Sequence, residues 1–152
     1  MISLFQKLFD NGMICSSEQA AIVDAAIYDE VKAEFEAHQC VIISKKADIA
    51  KLEKVVLNEA RTAVNGAIVG HSAIEIGEKA GLKVPAGTKL LLAEIPDATM
   101  EHPLALEKLS PVLALIKSDG VEDGFKKAEG MLNLNTKLRT YCRKVLSDCL
   151  KI

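Results

Sequence analysis

Apolar residues along the chain fall into short runs separated by longer stretches with helical spacing, and that alternation predicts the architecture. Glu18 to Ile27 (EQAAIVDAAI) is short and apolar and predicts a strand; Tyr28 to His38, with apolar residues at helical spacing, predicts the helix after it. Val41 to Ser44 predicts a second strand, and Ala47 to Asn58 a helix whose stripe is Ile49, Leu52, Val55 and Val56. Ala67 to Gly70 reads as a third strand. Ser72 is placed to cap a helix running through Ile74, Ile76 and Ala80 to a stop at Gly81. Thr88 to Ile95 (TKLLLAEI) and Pro111 to Ile116 (PVLALI) are near-continuous apolar runs, the pattern of strands covered on both faces, with a polar, proline-bounded loop between them. Val121 to Leu132 returns to helix. In the tail, Leu138, Tyr141, Cys142, Val145, Leu146, Cys149 and Leu150 follow the i, i+3, i+4, i+7 rule and predict a C-terminal amphipathic helix. Strands alternating with helices of about ten residues predict an α/β fold with a mostly parallel sheet and flanking helices.

Composition narrows the class without changing that picture. With 152 residues, 49% hydrophobic and 26% charged, the chain is of single-domain size and ordinary globular composition. A net charge of -2 gives no overall reason to expect nucleic acid or an anionic membrane as partner. The charge is uneven, however: five bases against one acid leave residues 133–152 at +4 and the remainder at -6. No apolar run approaches the roughly 18 residues of a membrane span, and Gln6, Lys7 and Asp10 interrupt the N-terminal run before it could serve as a signal core. The four cysteines have no C-x-x-C spacing, which disfavours disulfides and structural zinc and makes the cytoplasm the expected compartment. His38, His71 and His102 form no metal-ligand spacing, so packing or solvent is the expected role of each and no metal is expected.

One cysteine differs from the others. Cys40 follows a helix end, and Cys142 and Cys149 lie on the tail's apolar stripe; Cys15 sits in a polar loop, FDNGMICSSEQ, between a glycine and a strand. A lone cysteine is more often a small buried hydrophobe than a nucleophile. A reactive thiol needs access and a lowered pKa, which a loop lined by backbone N–H groups can supply.

FDNGMICSSEQ resembles the catalytic-cysteine motif of the CoA-acylating aldehyde dehydrogenases, above all the aldehyde half of bifunctional aldehyde-alcohol dehydrogenases. NGAIVGHSAIEIGEKAGLKVPAGTKLLLAE and LALEKLSPVLALIKS are similar to the family's next two blocks, in the same order. The resemblance covers roughly residues 7–131 and implies the catalytic, cysteine-bearing part of the aldehyde dehydrogenase fold over residues 1–132, with residues 133–152 a divergent helical tail. It implies that Cys15 is the nucleophile and that Glu107, in EKLSP, holds the ribose of a nicotinamide cofactor, NAD. It implies coenzyme A and a small aldehyde as the other reactants, and a homo-oligomer or the rest of a longer enzyme as the protein partner. The backbone N–H of Cys15 is then an oxyanion donor.

Other features set limits on that expectation. The sequence contains no G-x-G-x-x-G and no G-x-x-x-x-G-K-[ST], and the family's dinucleotide-binding domain lies mostly before the cysteine, which here is only fourteen residues from Met1. After Met131 the family's glycine-rich continuation is replaced by LNLNTKLRTYCRKVLSDCLKI. The expectation is therefore a cysteine-bearing segment that does not turn over alone and that self-associates through unpaired strand edges or an apolar patch. The competing expectation is a non-catalytic interaction module of the same fold. A basic tail that binds nucleic acid or membrane is a third, weaker reading.

Overall fold

The two near-continuous apolar runs form the centre of the sheet. In the computed structural model, which describes residues 9–14 and 17–134, the strands are β1 (Ala20–Asp24), β2 (Cys40–Ile43), β3 (Leu90–Glu94) and β4 (Val112–Ser118), all parallel in the order β1-β4-β3-β2. The helices are α1 (Tyr28–Ala37), α2 (Lys46–Val56), α3 (Ala73–Lys79) and α4 (Gly120–Leu134). Because side chains alternate across a strand, β3 and β4 bury both faces, as their unbroken apolar composition requires. Leu90, Leu92, Leu113 and Leu115 meet Tyr28, Val31 and Phe35 of α1 on one face. On the other, Leu91, Ala93 and Val112 meet Leu52 and Val56 of α2 and Ile76 of α3, while Ala114 and Ile116 pack with Met131 and Leu134 of α4. The result is a three-layer α/β sandwich, the expected class.

Local signals explain most boundaries. Ser72 and Glu75 form a reciprocal capping box at the start of α3: the Ser72 N–H donates to Glu75 Oε2 at 2.8 Å and the Glu75 N–H to Ser72 Oγ at 3.3 Å. Gly81, with φ +64°, supplies the left-handed residue that ends the turn after α3.

Two expectations are corrected. Ala67 to Gly70 is not a strand: Gly66–Ile68 is a 3-10 turn, because the Asn65 carboxamide accepts from the Ala67 N–H and draws the backbone into a turn, while Ile68 drops into the core as an anchor. The loop before β4 is polar only in its first half. Pro103–Ala105 form a further 3-10 turn, and Leu104, Leu106, Lys108 and Ser110 are buried. The predicted C-terminal amphipathic helix lies outside the described residues. Among those described, no helix is long and apolar enough to cross a membrane.

Candidate active site

Cys15 lies outside the described residues, but the segments on either side of it are well defined. Asp10, Asn11 and Gly12 take three consecutive left-handed conformations, with φ of 49°, 51° and 73°. Asp, Asn and Gly are the residue types that tolerate this region, so the D-N-G triplet reverses the chain at little steric cost. The reversal docks on a distant part of the molecule: Asn11 Nδ2 donates to the Gly70 carbonyl at 2.9 Å. Gly70 itself has φ +78°, and a Cβ there would meet the Met13 sulfur at 2.9 Å. The block misread as a strand is therefore a wall for this loop. On the far side of Cys15, the Ser17 N–H donates to the Ile14 carbonyl at 2.9 Å and Ser17 Oγ to the Gly12 carbonyl at 3.3 Å.

Glu107 stands half-buried in the segment leading into β4. Its neighbour Lys108 is the residue that sequence reasoning missed. Lys108 is 0% exposed, so its ammonium can meet only protein, and it donates to three carbonyls: Leu104 at 2.6 Å, Leu106 at 2.8 Å and Gln19 at 2.9 Å. Gln19, also buried, completes the junction. Its Oε1 accepts from the Lys108 backbone N–H at 3.1 Å, and its Nε2 donates to the Ser17 carbonyl at 2.9 Å. Leu109, next in sequence, has φ +43°, a strained conformation for a branched side chain that persists only where its surroundings enforce it. The sequence signal for this junction is slight: Lys108, beside Glu107, lies between Leu106 and Leu109 just ahead of the apolar run of β4.

These contacts bring the Ser17–Gln19 segment and the Glu107–Lys108 segment, about ninety residues apart, to the amino ends of the adjacent strands β1 and β4. One oxygen of Glu18 and the hydroxyl of Ser110 are buried there without a hydrogen-bond partner among the described residues. Ligands of open α/β sheets more often sit at the carboxyl ends. At that end of this sheet, Glu94 accepts from Tyr28 Oη at 2.7 Å and from Lys32 Nζ at 3.2 Å, and the Tyr28 ring lies 5.4 Å from the Lys117 ammonium. Burial alone would raise the Glu94 carboxyl, but hydrogen bonds from Ser44, Tyr28 and Lys32 hold it below its ordinary value. Burial, reinforced by Glu94, pushes the Tyr28 hydroxyl well up. Both Glu94 oxygens are engaged, so this cluster ties α1 to the sheet rather than receiving a ligand.

The remaining expected residues behave as packing or surface groups. Cys40 is buried under α1, and that burial pushes its thiol up to about 11, partly offset by Lys89. His38 caps the C-terminus of α1, and His102 Nδ1 pairs with Asp97 at 2.8 Å. The ring of His71 is 3.6 Å from Glu75.

No protein-family model matches the chain. The aldehyde-alcohol dehydrogenase of Streptococcus pneumoniae is 44% identical over 139 residues, covering 87% of this chain and 16% of that protein. The acetylating aldehyde dehydrogenase of Geobacillus thermoglucosidasius superposes with a TM-score of 0.81 at 33% identity, over 88% of this chain and 29% of that one. The chain belongs to the acylating aldehyde dehydrogenase family. A propionaldehyde dehydrogenase of Rhodopseudomonas palustris, solved with bound CoA and an acylated cysteine, has a TM-score of 0.75 at 25% identity over 88% of this chain and 29% of that one. The chain thus spans less than a third of the length of each of these three proteins. In this chain the second of the three sequence blocks walls the loop of the first, and the third is bolted to the strand that follows the first.

Proposed function

We propose that this chain is the catalytic-cysteine segment of an acylating aldehyde dehydrogenase, with Cys15 as the nucleophile and Glu107 as the residue that holds the ribose of a nicotinamide cofactor. The observation that supports the reading is the Gln19–Lys108 junction, which ties the Ser17–Gln19 segment that follows Cys15 in sequence to the segment that contains Glu107. The relatives' names supply the reaction class, and the solved relative with CoA and an acylated cysteine supports a thiol as the acyl carrier.

In this reading the Cys15 thiolate adds to the aldehyde carbonyl, forming a C–S bond and a hemithioacetal. Loss of hydride from that carbon leaves a thioester on Cys15. Coenzyme A, its thiol having given its proton to solvent, then attacks the thioester carbonyl as thiolate, takes the acyl group and expels Cys15 as thiolate. A bound NAD supplies the hydride acceptor. A thiol suits both transfers, because the thiolate is strongly nucleophilic and its thioester remains reactive toward a second thiol. A half-buried carboxylate at this edge fits the role of accepting hydrogen bonds from two ribose hydroxyls. The sequence holds no glycine-rich phosphate cradle, and positioning supplies about 7–11 kcal/mol in well-oriented reactions, so turnover by the chain alone is not part of the proposal.

The test is limited alkylation of the folded chain with iodoacetamide, followed by peptide mapping. Cys15 is expected to be labelled first, with Cys40 protected until the chain is unfolded. Preferential labelling of Cys142 or Cys149 would remove the assignment and leave an interaction module as the better account.

A further inference from the structure

We infer that Lys108 and Gln19 are positioning residues for the nucleophile loop, acting through the backbone of Ser17–Gln19 rather than on a reactant. The inference rests on the reading of Cys15 as nucleophile. A lysine is almost never fully buried unless its charge is compensated, and here three carbonyl oxygens accept from the ammonium. Two of those carbonyls, of Leu104 and Leu106, belong to the segment that carries Glu107; the third belongs to Gln19, whose carbonyl also accepts from the Ala114 N–H of β4 at 3.1 Å. The lysine therefore binds one loop to the root of another at the point where both enter the sheet.

The side chain of Gln19 extends the tie in the other direction. By donating to the Ser17 carbonyl while accepting from the Lys108 N–H, it transmits the position of the Glu107 segment to a residue two places from Cys15. The strained backbone of Leu109 lies directly after Lys108 in sequence. A structural lysine on the surface would do none of this, because solvent would compete for its ammonium.

The experiment compares the rate of Cys15 alkylation in the full chain with that in Lys108→Met, Lys108→Arg and Gln19→Met, with Cys40 followed in the same digests. Cys40 is buried beneath α1, so its protection reports that the fold is intact. With Cys40 protected, Lys108→Met is expected to slow Cys15 alkylation at neutral pH by about tenfold, toward the rate of the same residue in the urea-unfolded chain. Lys108→Arg is expected to recover part of the loss. If Lys108→Met exposes Cys40, Gln19→Met decides, since it cuts the link to Ser17 and leaves the ammonium in place. Cys15 rates equal to the parent's in a variant that keeps Cys40 protected would overturn the inference. An unreactive Cys15 in the parent would instead overturn the functional reading on which it rests.

Discussion

At the scale of single residues, burial and partners separate side chains that the sequence writes alike. Cys40 sits beside an apolar run, packs under α1, and has its thiol pushed up to about 11, a range in which little thiolate exists at neutral pH. Glu94, a carboxylate at a strand end, is committed to Ser44, Tyr28 and Lys32. That commitment has a pH signature. The Glu94 carboxyl is held below its ordinary value of 4.5 in the folded chain, so its stabilisation is present above that value and is lost as pH falls through the folded one. The expected outcome is a urea midpoint that declines as pH is lowered below about 4.5, with a shallower decline in Glu94→Gln. Equal slopes in the two proteins would show that the network adds no pH-dependent stability.

At the scale of elements, strands and helices with unbroken patterns were legible, and turns written in apolar letters were not. The runs at Thr88 to Ile95 and Pro111 to Ile116 read as strands covered on both faces and contain β3 and most of β4, and the Ser72 cap announced α3. Ala67 to Gly70 carried the same apolar composition, but the Asn65 side chain captured its backbone first. The buried half of the loop before β4 escaped notice because its polar letters, Lys108 and Ser110, point inward. The packing of α3 gives a second test, in which two effects oppose each other. Replacing a helix-interior glycine by alanine normally gains up to about 1 kcal/mol. At Gly77, however, the added methyl would overlap the side chain of Val84, and overpacking of a closed core costs about 1–3 kcal/mol. Gly77→Ala is therefore expected to lower the urea midpoint. Gly66→Ala, where the methyl meets open space, is expected to leave it nearly unchanged. A stabilised Gly77→Ala would mean that α3 does not pack on Val84 as described.

At the scale of the whole molecule, the α/β class, the parallel sheet and the family were readable from sequence, because each rests on long patterns or on blocks in fixed order. The convergence of those blocks was not, since it depends on contacts between residues as far apart as Asn11 and Gly70 or Gln19 and Lys108. The central claim is that Cys15 accepts an acyl group, and it can be tested without any nicotinamide. Incubated with acetyl-CoA, the Cys15 thiolate should attack the thioester carbonyl and expel the thiolate of coenzyme A. Mass mapping of the peptide containing Cys15 is predicted to find one acetyl group, labile to hydroxylamine and absent from Cys15→Ala, with an equivalent of free coenzyme A released. Acetylation confined to lysines, or coenzyme A release of equal extent from Cys15→Ala, would contradict the account.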